Sequence, residues 1–179
     1  MKLMTTLVAL TFLTSIAQAA DVQYPLTGDN TKVEWVGSKA DGTHAGGFKK
    51  VTGAAVVKGD KGLSLELEID CASLYSDSDK LTGHLKSPDF FAVKDHPTAT
   101  FVSKSVKKHK SGYEIVGDLT LLGKTKEIHF PATIASGDKL ALKADFKIIR
   151  SEFGMTYGKG KVNDDVAIKV TIGAKPEGK

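Results

Sequence analysis

Apolar and polar residues alternate along most of this chain from residue 22 onward, in short runs that Gly, Asp, Asn, Ser or Pro interrupt. The clearest run covers residues 63–70, where Leu63, Leu65, Leu67 and Ile69 occupy every second position. Because successive side chains of a β-strand point to opposite faces, a period of two predicts strands with one dry and one wet face. The chain is therefore predicted to be mostly β.

This alternation recurs in eight segments, which short connections join in most cases. Such a series favours an antiparallel meander that curls into a barrel, with a two-layer sandwich as the alternative. We expect the barrel. The predicted strands cover residues 32–37, 48–57 with a break at Gly53, 63–70, 98–106, 113–122, 126–134, 138–150 and 165–173.

Residues 76–97 interrupt the alternation, because Leu81, Leu85 and Phe90 follow helical rather than alternating spacing. Pro88 is suited to the first position of a second helical turn, and Pro97 ends the segment before the next strand. We expect a short helical insert that lies as a lid or plug across one end of the barrel.

The two ends of the chain differ in character from the middle. Lys2, an apolar run over residues 7–16 and Ala17-Gln18-Ala19 have the layout of a secretory signal peptide, so residues 1–19 are expected to be removed. No other run approaches the roughly 18 apolar residues of a membrane-spanning helix. The expected product is a periplasmic domain over residues 20–173, if the source is Gram-negative, with a flexible tail over residues 174–179.

Charge and cysteine content narrow the function classes. The 25 basic residues outnumber the 21 acidic ones and are spread along the chain. A nucleic-acid binder would cluster them on one face among aromatic residues, so no nucleic-acid partner is predicted. The single cysteine, Cys71, excludes an intramolecular disulfide and is expected to be buried.

The residues offer no pattern typical of catalysis or metal binding. No two of the five histidines stand at the close spacing that zinc sites use. There is no Gly-x-Ser-x-Gly turn for a nucleophile, and the glycine pairs open no phosphate-binding helix. We therefore predict no enzyme, no catalytic residues, no metal and no cofactor.

Arg150 is the only arginine in a chain that otherwise uses lysine for its positive charge. Its planar guanidinium offers five donors, which suits a carboxylate or several carbonyl groups. Two roles stay open: a pin from the end of a strand to a loop or the insert, and a contact to the head group of a ligand.

Several landmarks together resemble the YceI-like family of exported, lipocalin-like, polyisoprenoid-binding proteins. The insert motif and the strand that follows it are the most specific of these landmarks. They run in order through nearly all of the chain that follows the predicted signal peptide: Val33-Glu34-Trp35, Gly42-Thr43-His44, Gly47-Phe48, 70–74, Leu81 to Phe91, His96 to Phe101, Gly117 to Lys126, and Arg150-Ser151-Glu152-Phe153-Gly154.

The resemblance implies an antiparallel eight-stranded lipocalin-like barrel with a polyisoprenoid, an isoprenoid quinone or a similar lipid in its lumen. The lumen-facing positions are those on the apolar face of each strand, where every second side chain points inward. His44 and Arg150 are additional candidates for a structural or head-group contact. The predicted ligand-binding residues are Val33, Trp35, Phe48, Leu65, Leu67, Phe101, Leu119, Phe130, Leu142, Phe146, Ile168 and Val170.

Two further alternatives concern the interior and the assembly. The same twelve residues would equally fill a solid core, in which case the protein would be a stress-related interaction module without small-molecule cargo. Such barrels also have broad outer faces through which two copies could pair, so a homodimer stays an alternative.

Overall fold

A computed structural model describes residues 20–59 and 62–178, so the predicted signal peptide lies outside the described residues. The described chain is mostly β, as predicted, with eleven strands and one α-helix. The elements are β1 (Val22–Thr27), β2 (Thr31–Lys39), β3 (Gly42–Phe48), β4 (Val51–Val57), β5 (Leu63–Asp70), β6 (Leu74–Ser76), α1 (Asp79–Leu85), β7 (Thr98–His109), β8 (Gly112–Leu121), β9 (Lys124–Ala135), β10 (Leu140–Ile149) and β11 (Asp165–Ala174).

All strands belong to one antiparallel sheet that curls into a half-barrel. The hydrogen-bonded order is β1-β4-β5-β7-β8-β9-β10-β11-β2-β3-β6, so β1 and β6 are its two ends. Burial alternates along the strands as the period of two predicts; β10, for example, begins with buried Leu140, Leu142 and Ala144 separated by exposed residues. The apolar face of each strand therefore points into the curl.

Backbone hydrogen bonds also connect the two sides of the curl where β3 runs into β4 through Lys49 and Lys50. The Lys49 amide donates to the Ser73 carbonyl at 3.3 Å, and the Asp70 amide donates to the Lys50 carbonyl at 3.1 Å. These two bonds lie between the β3–β6 ladder and the β4–β5 ladder, and so connect the two ladders along the chain. The curl thus encloses an interior, and Cys71 beside this junction is buried as expected.

The predicted number of eight strands was wrong, because β1, β3 and β6 were missed. Pro25 lies within β1, which is tolerated because β1 is an edge strand. β3 is rich in glycine and lacks β-branched residues apart from Thr43, so its sequence carries little strand signal. β6 has three residues, too few to show alternation. The expected break at Gly53 falls instead at Lys49 and Lys50.

One end of the curl is filled by a solid core. Leu140 at the start of β10 pairs with Ala174 at the end of β11, and both are fully buried. Tyr24 of β1 is also buried, and its hydroxyl donates to the Gly137 carbonyl at 2.9 Å. Because aromatic and aliphatic side chains pack densely here, this end offers no opening.

The flexibility expected of residues 174–179 stays a prediction, and the structure describes residues 174–178 of this segment. Ala174 is the last residue of β11, Pro176 is buried, and the Glu177 amide donates to the Gln23 carbonyl at 2.8 Å. Residues 174–178 therefore continue the structure along β1.

The insert lies across the opposite end, and its predicted helix is confirmed as α1. Ser78 caps the helix by accepting from the Leu81 amide, and Asp79 stands in the first turn, where a negative charge is favourable. Leu85 and Phe90 of the insert are buried against the sheet. The insert therefore closes part of the end that the core leaves open.

We predict that Gly46→Ala destabilises the fold by about 1–3 kcal/mol, because overpacking in a filled site costs that much. A β-carbon on Gly46 would overlap the Tyr75 carbonyl oxygen and the Trp35 ring. Urea unfolding measures the change. Gly173→Ala in β11 is the matched control, since a β-carbon there has no heavy atom within 4 Å. Equal stability of the two variants would contradict the packing described.

Candidate ligand-binding site

The curl encloses a cavity of about 380 Å³ between the core end and the insert. This volume lies in the range of about 300–1,000 Å³ that small-molecule sites occupy. All of the predicted ligand-binding residues line it: Val33, Trp35, Phe48, Leu65, Leu67, Phe101, Leu119, Phe130, Leu142, Phe146, Ile168 and Val170. Their contact with a ligand stays a prediction.

The insert adds a second set of apolar side chains that close the cavity from above. Leu81 and Leu85 come from one face of α1, and Phe90 and Phe91 come from the turns that follow it. Phe91 packs edge-on against Phe48 of β3, with ring centroids 5.7 Å apart. The insert is therefore part of the cavity wall.

Polar side chains of the cavity gather at the same end as the insert, which we call the mouth. The Asn163 amide donates to the Ser38 carbonyl at 2.9 Å, which ties the loop after β10 to the end of β2. His44 stands opposite Gly37 in the β2–β3 pair. The polar residues that line the mouth are Ser38, Lys39, His44, His84, Arg150 and Tyr157.

Arg150 is 4% exposed and holds the loop at the mouth in place. Its guanidinium donates from Nε to the Asn163 carbonyl at 3.0 Å, from Nη1 to the Met155 carbonyl at 2.9 Å, and from Nη2 to the Val162 carbonyl at 3.2 Å. Asp164 lies 4.0 Å from Nε. These contacts correspond to the first of the two roles left open, a pin from the end of a strand to a loop. A contact of Arg150 with a ligand head group stays a prediction.

His44 connects β3 to the start of the insert. Its Nδ1 lies 3.0 Å from Oδ1 of Asp77, and the Ala45 amide donates to Oδ2 of the same carboxylate. The hydrogen bond from His44 lowers the pKa of Asp77 below its usual value. His44 thus borders the cavity while its ring fastens the insert to the sheet.

His84 of α1 stands at the centre of a small aromatic cluster at the mouth. Its ring meets Phe90 and Tyr157 edge-on, at centroid distances of 5.0 and 4.9 Å. Its Nε2 lies 2.9 Å from Oδ2 of Asp89. Tyr157 is 46% exposed, so this cluster forms the boundary between the cavity and solvent.

The wall between β9 and β10 is held partly by side chains rather than by paired backbone. The ladder between these strands covers only residues 132–135 and 141–144 and ends beside Pro131, which has no amide hydrogen. Beyond that point Phe130 stacks on Phe146 at 4.2 Å. Phe130 borders both the cavity and an outer groove of about 660 Å³.

Among the described residues, no group of three or more His, Cys, Asp or Glu side chains is arranged to hold a metal ion. In residues 20–59 and 62–178, no helix combines the length and the apolar character that crossing a membrane requires.

Several cavity residues lie outside the predicted set. Ile128, Ile148 and Val166 line the wall, and each shares a strand face with a predicted residue two positions away, so parity could have found them. His84 could have been found from the helical spacing of the insert. Tyr157 lies in a glycine-containing loop without periodicity, and no sequence signal identifies it.

Comparison with known proteins places this fold and cavity in a family. A sequence model of the YceI-like domain matches residues 24–174, which include nearly all of the described strands. The chain belongs to the YceI-like family. A UPF0312 protein of Serratia proteamaculans is 30% identical over 115 residues, and the match covers 60% of this chain and 60% of that relative.

Two solved structures share the fold. The YceI-like chain shares 28% identity and a TM-score of 0.75 with Burkholderia cenocepacia BcnA, covering 81% of this chain and 96% of that one. A polyisoprenoid-binding domain from Saccharophagus degradans, implicated in plant cell wall breakdown, has a TM-score of 0.64 at 13% identity, covering 86% and 98% of the two chains. The latter likeness concerns the fold alone.

We predict that Arg150→Lys costs about 2–4 kcal/mol of unfolding free energy, because one ammonium cannot replace three buried N–H···O bonds in a fixed plane. Protease cleavage within residues 154–164 should increase as well. Urea unfolding and limited proteolysis measure both effects. Lys143→Gln on the exposed face of β10 is the control and should stay within about 0.5 kcal/mol. An unchanged Arg150→Lys variant would refute the role of the guanidinium as a pin.

Proposed function

We propose that this YceI-like protein is an exported, periplasmic binding or carrier protein for a long-chain apolar ligand. The ligand class is a polyisoprenoid, an isoprenoid quinone or a similar lipid. The observation that carries the proposal is the cavity of about 380 Å³, whose wall is apolar except at the mouth.

The cavity favours cargo over a solid core. Protein interiors are close-packed, and unfilled apolar volume lowers stability. Here Trp35, Phe101, Phe130 and Phe146 leave such volume between them even though they are large. Burying one isoprene unit contributes at most roughly 3–4 kcal/mol, so a few units offset the ordering cost of binding.

The closed core end and the polar mouth together suggest how the ligand is oriented. An apolar chain would extend towards Val33, Leu142 and Val170, and the polar group of an amphiphile would remain near the mouth. His44 and His84 offer hydrogen-bonding imidazoles at that position. Small-molecule sites are mostly apolar, with a few polar groups that fix the orientation of the ligand.

The family and one structural neighbour support binding rather than catalysis. The neighbour from Saccharophagus degradans is a polyisoprenoid-binding domain of the same fold. The imidazole of each mouth histidine is next to a carboxylate, His44 with Asp77 and His84 with Asp89, and among the described residues no hydrogen bond joins the side chains of either pair to a hydroxyl or a thiol. A carrier role requires no such group.

Export and location are part of the proposal. Residues 1–19 have the charged, apolar and small-residue layout of a signal peptide. A periplasmic carrier would meet lipids in transit between two membranes, where an enclosed apolar site shields them from water.

We predict that Gly37→Leu lowers affinity for tritium-labelled geranylgeraniol at least about tenfold, because the new side chain occupies volume that the ligand needs. Gly37 lines the cavity, and a β-carbon there would have only Trp35 Cζ3 near it, at 4.0 Å, so the backbone tolerates the change. Equilibrium binding measures the effect.

Gly173→Leu is the matched control, since Gly173 also lies in a strand but is exposed. It should bind like the wild-type protein, and urea unfolding should show both variants folded. If the wild-type protein binds neither geranylgeraniol nor long-chain quinones, the cargo proposal fails and an interaction module without cargo becomes the better explanation.

A further inference from the structure

The backbone ladder between β9 and β10 ends part-way along both strands. Pairing covers residues 132–135 of β9 and 141–144 of β10. Both strands run on beyond it, where β9 is paired with β8 on its other side and β10 with β11. We call the stretch in which they are not paired with each other, residues 124–131 and 145–149, the seam. Separating the two strands along the seam therefore breaks no backbone ladder between them.

Apolar side chains close the seam on its inner side. Ile128 and Phe130 of β9, and Phe146 and Ile148 of β10, line the cavity. Phe130 stacks on Phe146 with ring centroids 4.2 Å apart and an angle of 13° between the planes. Attraction between stacked rings is the sum of many small contacts, so the rings can separate and form new apolar contacts. A ligand chain that passes between them supplies such contacts.

An outer groove reaches the seam from outside the curl. The groove of about 660 Å³ lies beside the β7–β8 turn, and Pro131 and Asp145 of the seam line it. Phe130 lines both this groove and the cavity, and it is 5% exposed. Phe130 therefore stands between the outer groove and the interior.

The seam is bounded at both ends. At one end the β9–β10 ladder holds the strands together. At the other end the Lys124 side chain reaches Gly154, where a β-carbon would lie 2.8 Å from Nζ of Lys124. Residues 145–149 of β10 span about 17 Å, since a strand rises about 3.4 Å per residue. The seam is therefore a slot of limited length, along which a slender prenyl chain fits.

The mouth is held more firmly than the seam. Arg150 donates to three backbone carbonyls of the loop there, and Nδ1 of His44 lies 3.0 Å from the Asp77 carboxylate. Hydrogen bonds to charged groups are stronger than neutral ones, and breaking a buried one leaves a donor without a partner. Opening the seam moves apolar contacts instead. Of the two routes into the cavity, the seam opens with the smaller loss of polar contacts.

We infer that the ligand enters and leaves the cavity through the seam, with the Phe130–Phe146 stack as its gate. This inference rests on the proposed function and adds the route of the ligand to it. The rings separate, the prenyl chain passes sideways from the outer groove into the cavity, and the stack forms again behind it. The polar contacts of the mouth stay in place throughout.

The first test closes the seam with a removable cross-link. In the register that the ladder and the stack share, His129 lies across from Lys147, and both residues are exposed. His129→Cys/Lys147→Cys accepts a short bis-methanethiosulfonate, which a reducing agent removes. Cys71 does not compete, because burial raises the pKa of its thiol to about 11. The fluorescence of Trp35, the only tryptophan and a cavity residue, reports geranylgeraniol binding in stopped flow.

We expect the cross-link to slow association and dissociation at least about tenfold each, while Kd changes by less than about twofold, because a gate alters the barrier and not the bound state. Reduction should restore both rates. Glu34→Cys/Lys169→Cys is the matched control, since these exposed residues lie opposite each other in the β2–β11 ladder. Its cross-link should change neither rate.

Phe146→Ala gives a second measurement that does not depend on the cysteine pair. Removing one ring of the gate should raise the association rate at least about threefold, whereas loss of a ligand contact by itself raises only the dissociation rate. Leu67→Ala is the control, because Leu67 also lines the cavity but lies in β5, which β7 and β8 separate from β9. Its association rate should stay unchanged.

The outcomes separate the route from the cargo. Uptake of geranylgeraniol at an unchanged rate, in the cross-linked protein or in Phe146→Ala, would overturn the seam as the route and leave the cargo proposal intact. Failure of the wild-type protein to bind geranylgeraniol would overturn both.

Discussion

The period of two in a curled antiparallel sheet is the constraint on which this structure depends. Every second side chain of the strands points into the curl, so those positions must be apolar whether or not a ligand is present. The two ends then differ. Tyr24, Leu140 and Ala174 fill one end with close-packed core. The insert only covers the other, which leaves the cavity between them.

The mouth is the part of the cavity wall where geometry depends on individual polar contacts. Arg150 holds the loop over residues 155–163 by three carbonyl groups, and the His44–Asp77 pair holds the insert. The wall between β9 and β10 depends on the stacking of Phe130 on Phe146 where the backbone ladder ends. Rigid backbone thus surrounds the cavity on most sides, while side chains close its mouth and one seam.

Alternation was enough to predict many of the strand residues that line the cavity, because it assigns Leu65, Phe101 or Ile168 to the inner face. It could not predict the junction at Lys49 and Lys50, where two bonds between backbone groups connect the two sides of the curl. Side-chain patterns carry no information on such bonds.

The volume of the cavity could not be predicted from the sequence either. A filled core and an open lumen require the same apolar residues at the same positions. Native mass spectrometry of the protein purified from its own host, followed by organic extraction, distinguishes these states most directly. The proposed function predicts a stoichiometric long-chain apolar molecule. Protein that is consistently empty, and that binds no quinone, prenyl alcohol or fatty amide afterwards, would contradict the carrier function.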